Sequence, residues 1–273
     1  MENGNINYLH GYQQLEAERL SHQAEALSNL LHHDSYYLPG ERILEAGCGV
    51  GAQTIHLAKN SPGANFLSID QSQQSIRQAE KTIQERGLQN VSFQQADIYQ
   101  LPFEENSFDH LFLCFVLEHL KDPIMALEQL KRVIKPGGSI TLIEGDHGSF
   151  YCFPETKYSI KVVNCLIDIQ ATMGGNGLIG RQLYPLLNQA GYYSIQVAPR
   201  MVYVDDSKPQ LIDAFSKNTF IAMVEGVKEQ AVKEQLISLA DWQQGISDLY
   251  QATKPGASFC YTFFKGHALK GRF

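Results

Sequence analysis

Residues 42–59 read as a short strand, Arg42–Glu45, a turn carrying Gly47, Gly49 and Gly51, and a helix through about Lys59. A strand that enters a helix through glycines belongs to few architectures, because such a turn needs backbone conformations that only glycine adopts cheaply. The pattern then repeats. Asn65–Asp70 predicts a second strand, Gln73–Arg86 a helix stopped by Gly87, and Val91–Gln95 a third strand. Phe108–Phe115 predicts a fourth strand, Pro123–Ile134 a helix ended by Lys135-Pro136-Gly137-Gly138, and Ser139–Glu144 a fifth strand. Strands alternating with helices at this spacing imply an α/β fold: a Rossmann-like, mainly parallel sheet with helices on both faces.

The chain changes rhythm after Gly145. Helices are expected over 155–173 and 181–190, a strand over 192–204, helical stretches near 208–224 and 228–251, and an aromatic strand over 258–265. Before the alternating core, Leu15, Leu20, Leu27, Leu30 and Leu31 recur at near-helical spacing across 12–32, and Pro39-Gly40 punctuates the chain. The expected organisation is an amino-terminal helical lid over 1–39 and a main domain over 40–273. Within that domain, 40–145 is a ligand-binding core, and 146–273 carries acceptor-shaping helices and the last two strands.

Composition removes several classes. The longest apolar run, Leu111–Leu117, has seven residues, against about 20 for a membrane span; it reads as a buried parallel strand. No basic flank precedes an apolar stretch at the amino terminus. Five scattered cysteines without a CxxC pair fit buried thiols in a reducing, cytoplasmic setting. A formal net charge of -7 argues against a nucleic-acid partner. His32-His33-Asp34 is expected to be a solvated helix end rather than a metal site, since adjacent helical residues point in different directions. Trp242 and the alternating Phe259, Tyr261 and Phe263 are expected to be packing residues.

The glycine turn predicts a nucleotide-like ligand, but Gly47, Gly49 and Ala52 also satisfy the GxGxxG/A dinucleotide fingerprint. Three acidic residues bear on the choice. Glu45, just before the first glycine, would repel a pyrophosphate and favour a ligand carrying an ammonium and a sulfonium. Asp70 ends the second strand, where a carboxylate accepts both ribose hydroxyls of either ligand. Asp97, after the third strand, is placed to accept an adenine amino hydrogen while Ile98 packs on the ring.

Four motifs in order, LEAGCGVG at 44–51, FLSID at 66–70, QQADIYQLPFEENSFD at 94–109 and VLEHLKDPIMALEQLKRVIKPGG at 116–138, resemble the core of class I S-adenosylmethionine-dependent methyltransferases. The group they most resemble is that of ubiquinone/menaquinone biosynthesis. The resemblance implies a seven-stranded sheet in the order 3-2-1-4-5-7-6 with strand 7 antiparallel. It also implies S-adenosyl-L-methionine as cofactor, held by Glu45, Gly47, Cys48, Gly49, Asp70, Gln71, Asp97, Ile98 and Phe115. The segment EGDHGSFYCFP at 144–154 has a looser likeness to small-molecule methyltransferases of secondary metabolism.

The implied activity is in-line methyl transfer to a small-molecule acceptor, in which positioning and water exclusion do much of the work. His147 and, less strongly, His119 are the candidate proton acceptors; a loop or capping role is the alternative for each. Tyr8, Tyr12, Arg19 and Gln23 suit a lid, with Tyr12 shielding the sulfonium by a cation–π contact; a helix packed on the sheet is the alternative. The competing functions are an NAD-dependent oxidoreductase and a catalytically silent methyltransferase-like binding protein.

Overall fold

The computed structural model describes residues 14–271, with side chains from Gln23 onward. The elements, in order, are α1 (Gln14–His32), β1 (Arg42–Ala46), α2 (Thr54–Asn60), β2 (Asn65–Asp70), α3 (Gln73–Glu85), β3 (Val91–Gln95), β4 (Phe108–Cys114), α4 (Pro123–Val133), β5 (Ile134–Phe153), α5 (Lys157–Thr172), α6 (Leu183–Gln189) and β6 (Tyr193–Val204). There follow α7 (Pro209–Leu211), a π-helix (Ile212–Ile221), α8 (Ala222–Glu225), α9 (Lys228–Lys233), α10 (Leu239–Gln251) and β7 (Ser258–Leu269). Short 3-10 turns lie at Leu117–His119 and Ile179–Gln182.

The seven strands form one sheet in the order β3-β2-β1-β4-β5-β7-β6. β1 is central and parallel to β2 and β4, and β2–β3 and β4–β5 are also parallel. β7 turns the sheet into a mixed one. Lys270, just past its end, exchanges backbone hydrogen bonds with Gly137 and Gly138 near the start of β5. Thr262 N–H, further back on β7, donates to Ser149 Oγ, further along β5. Between β4 and β5 the register shifts from Phe108↔Ile134 to His110↔Ser139, so Lys135-Pro136-Gly137-Gly138 is absorbed as an irregularity.

Local chemistry places the helices. Ser72 caps α3 by accepting the Ser75 N–H, and Asp122 caps α4 by accepting the Met125 N–H ahead of Pro123 in its first turn. Thr156 and Ser159 close a capping box on α5.

Two differences from the sequence expectation concern the second half. β5 was expected to end at Glu144 but continues to Phe153, and the expected helix over 208–224 contains ten residues of π-helix.

The chain divides into two compact units. The first holds residues 28–144, 179–200 and 264–271, and its core is a buried apolar cluster that includes Leu44, Leu111, Leu113, Leu127, Ile140 and Leu187. The second holds residues 145–178 and 201–263 with α1 through Leu27. There Phe150, Phe215, Phe220, Phe259, Tyr261 and Phe263 form one aromatic cluster, with Phe150 and Phe220 stacked at 4.9 Å.

In the first unit His32 is buried rather than solvated. Its Nε2 lies 2.6 Å from Gln53 Oε1, and its ring stacks on His56. Burial lowers its pKa to about 4, so it is neutral at physiological pH. The end of α1 is pinned by Lys265, whose buried ammonium donates to Leu31 O, Asp34 Oδ1 and Ser35 Oγ; Asp34 also pairs with Arg200. Lys265→Met is expected to cost about 2 kcal/mol by leaving these acceptors without their donor. Urea unfolding checks it, and an unchanged midpoint would contradict the assignment.

Candidate functional site

The glycine turn is built on the end of β1. Gly47 and Cys48 both donate their N–H to Ile69 O, at 2.8 and 2.9 Å. Gly47, Gly49 and Gly51 have φ of +78, +52 and +81°, a region that side chains bearing Cβ enter at a cost. The three glycines meet different surroundings. A Cβ on Gly47 would lie 2.5 Å from Val116 Cγ2, and one on Gly51 would lie 3.1 Å from Ala79 Cβ. Around Gly49 there is nothing within 4 Å. Gly49 is therefore the point at which a ligand can approach the backbone.

Asp70 ties the turn to β2. Its Oδ2 accepts the Gly49 N–H at 2.9 Å and its Oδ1 accepts the Ser72 N–H at 2.8 Å. Burial raises its pKa, and the N–H donors offset part of the rise. Each carboxylate oxygen retains acceptor capacity beyond these bonds, so ribose hydroxyls fit here. Gln71 is exposed beside it, its carbonyl accepting from Gln95 Nε2. At the end of β3, Asp97 is exposed and its Oδ1 accepts the Tyr99 N–H, while Ile98 is half-buried. Asp70 and Asp97 thus stand at the carboxyl ends of neighbouring parallel strands, where open α/β sheets bind ligands.

Glu45 has a role its position alone did not reveal. Its Oε2 accepts from Thr54 Oγ1 at 2.7 Å and from Ser68 Oγ at 2.6 Å, and the residue is buried. Burial pushes its pKa up to about 7. It braces the turn from beneath by joining β1, β2 and the first residue of α2, and it does not stand as an exposed anion. The parallel register Glu45↔Ser68 is the signal from which this bond was readable; the Thr54 contact had none. Cys48 is also buried, with its thiol pKa driven up by burial and by Glu45 and Asp70.

After β4, Phe115 has φ +59°. A bulky aromatic in the left-handed region is uncommon and points to a constrained site. Its N–H donates to Ile143 O at 2.9 Å, continuing the β4–β5 ladder. The next residues enter the turn that holds Glu118 and His119, whose side chains are mostly buried and lie 3.6 Å apart. This contact holds His119 as a packed, paired side chain.

His147 lies in the second unit. It is buried, its Nδ1 is 2.9 Å from Tyr261 Oη, and its N–H donates to Gly177 O. Gly177 fits because a Cβ there would lie 2.7 Å from His147 Cδ2. Tyr8 and Tyr12 lie outside the described residues, as does the Arg19 side chain; Gln23 is buried on α1. Among the described residues no group of three His, Cys, Asp or Glu side chains is poised to hold a metal. No helix among them is long and apolar enough to cross a membrane.

The model of a methyltransferase domain matches residues 44–142, the segment that carries the glycine turn, both strand-end carboxylates and Phe115. The core of the chain is thus similar to a methyltransferase domain. The chain is 28% identical over 243 residues to an uncharacterized methyltransferase of Schizosaccharomyces pombe, spanning 85% of this chain and 84% of the relative. It is 32% identical over 120 residues to the demethylmenaquinone methyltransferase of Geobacillus stearothermophilus, spanning 44% of this chain and 51% of the relative. The fold is similar to that of phosphoethanolamine N-methyltransferase 2 of Haemonchus contortus in complex with S-adenosylhomocysteine, with a TM-score of 0.56 and 18% identity over 91% of this chain and 52% of that one. The chain spans about half the length of the demethylmenaquinone methyltransferase it matches, and the domain match ends at residue 142.

Proposed function

We propose that the chain transfers the methyl group of S-adenosylmethionine to a small-molecule acceptor. The observation that carries the reading is Gly49, left-handed and open on its Cβ side, with its N–H held by Asp70. The cofactor supplies an electrophilic methyl group on a sulfonium, so the protein need not activate it. Asp70 would hold the ribose hydroxyls, Asp97 the adenine amino group, Ile98 the ring face, and Phe115 the neighbouring wall. Cys48 and Gln71 complete the surround through their backbones.

The exposed Asp97 favours this reading over an NAD-dependent oxidoreductase, because the dinucleotide fingerprint needs no carboxylate there. The net charge of -7 favours a small acceptor over a nucleic acid. All five cysteines are free and buried, which suits a cytoplasmic setting.

His147 is the proton acceptor in this proposal. A buried imidazole whose orientation is set by a tyrosine hydroxyl is suited to that work. His147→Asn should lower kcat by about 100-fold or more while the affinity for S-adenosylhomocysteine stays within about twofold. Equal losses in both would make the residue structural. His119, paired with Glu118, serves the turn after β4 and not the proton.

Methyl-labelled cofactor incubated with a cell extract split by size tests the function. Label should pass to the low-molecular-mass fraction and require the protein. Label passing only to the macromolecular fraction would contradict the small acceptor.

A further inference from the structure

Glu144 is fully buried, and its two oxygens are treated unequally. Oε1 accepts the N–H groups of Val116 at 3.0 Å and Leu117 at 2.7 Å. Oε2 is equally shielded from solvent and takes no hydrogen bond. A bare carboxylate oxygen in an apolar interior is costly, and the group answers by keeping its proton: burial, and then the neighbouring Glu118, push its pKa up to about 8.

What Glu144 holds is the stretch directly after Phe115. That residue sits at φ +59°, with its own N–H on Ile143 O. The clamped Val116 is the side chain against which Gly47 is packed so closely that no Cβ fits. One buried carboxyl therefore fixes both the left-handed wall residue and the surface under the first glycine of the turn.

We propose that Glu144 is a positioning residue for the methyl-donor site, acting through Val116 on the glycine turn and through the backbone on Phe115. The proposal rests on reading the glycine turn as that site. Glu118 faces Glu144 from the turn after β4 and is paired with His119. Cys114 faces it from β4, its thiol pushed up by burial and by Glu144, with Glu45 and Lys265 acting on it from β1 and β7. Among these, Glu118 opposes loss of the Glu144 proton most directly; once that proton leaves, repulsion between the two carboxylates and the charge on the bare Oε2 work against the turn, although the N–H bonds to Oε1 strengthen.

The test is calorimetric titration of the full chain with S-adenosylhomocysteine from pH 6 to 9, using wild type, Glu144→Gln and Glu144→Ala, with melting temperature followed separately. Wild type should weaken at least fivefold between pH 7 and 9. Glu144→Gln, which still accepts two N–H groups and has no proton to lose, should bind within threefold of wild type at pH 6.5 and keep that affinity to pH 9. Glu144→Ala should bind at least tenfold more weakly than wild type at pH 6.5 while folded. A Glu144→Gln variant that follows the wild-type pH curve would overturn the proposal, as would a folded Glu144→Ala that binds like wild type. Should Glu144→Ala fail to fold, the Glu144→Gln curve decides alone. Folded wild type that binds no S-adenosylhomocysteine at any pH would instead defeat the donor-site reading itself.

Discussion

Replacing Gly47 by alanine is expected to lower the unfolding free energy by about 3 kcal/mol, whereas the same change at Gly49 should cost about 1 kcal/mol. Both glycines have positive φ, which costs roughly 1–2 kcal/mol with a Cβ present. Only Gly47 adds a collision: its Cβ would lie 2.5 Å from Val116 Cγ2, and overpacking of this kind costs about 1–3 kcal/mol more. The functional order should be reversed relative to stability. A Cβ at Gly49 projects into the open space assigned to the cofactor, so folded Gly49→Ala should lose about tenfold or more in affinity for S-adenosylhomocysteine. Urea unfolding and calorimetry of the two variants separate the effects. Equal stability losses would mean that Val116 yields freely, and unaltered binding by Gly49→Ala would remove Gly49 from the site.

The second large effect concerns pH. Glu45 and Glu144 have folded-state pKa values raised to about 7 and about 8 by burial, against about 4.3 in an unfolded chain. Between those limits the native state holds a proton that the unfolded state has released. Each group therefore costs stability as pH rises from about 4.5 to its folded value, and the loss levels off above it. The slope is about 1.4 kcal/mol per pH unit per group, so Glu144 alone accounts for about 3 kcal/mol between pH 5 and 7.5. His32 acts in the opposite direction. Its pKa is lowered to about 4, so it contributes stability that is lost as pH falls from about 6.5 toward 4. Unfolding of wild type and Glu144→Gln from pH 5 to 8.5 isolates the carboxyl: the variant should gain on wild type steadily with pH. Parallel curves would show that Glu144 ionises freely in the fold.

Much of this was legible in the sequence, and the limits have identifiable causes. The alternation of strands and helices over 42–144 is local information, carried by apolar runs and by glycine and proline stops, and the structure follows it element by element. The sheet order came from the four-motif resemblance, because periodicity says nothing about which strands are neighbours. β5 was expected to stop at Glu144 since Gly145, Asp146 and Gly148 read as a turn. The strand runs on because β7 pairs with it, as at Ser149 and Thr262, and a partner more than a hundred residues away leaves no local mark.

The π-helix is a similar case. Phe215 and Phe220, five residues apart, both pack on Phe259, a spacing that suits i→i+5 turns, and Thr219 Oγ1 donates to Ala214 O across the same interval. The predicted residues of the glycine turn and of the β2 and β3 strand ends fall together in one unit. His147 belongs to the other. Glu144 and Val116 were missed as a pair because their bond joins a side chain to a backbone loop, and no pattern of residue types encodes that.

The cofactor is the claim on which the functional reading depends, and calorimetric titration of wild type with S-adenosylhomocysteine and, separately, NADH tests it most directly. Wild type should bind S-adenosylhomocysteine in the micromolar range, about -8 kcal/mol, and should not bind NADH. Asp70→Ala, which frees the Gly49 N–H, should lose that affinity. Binding of NADH in its place, or of neither ligand by folded protein, would contradict the account.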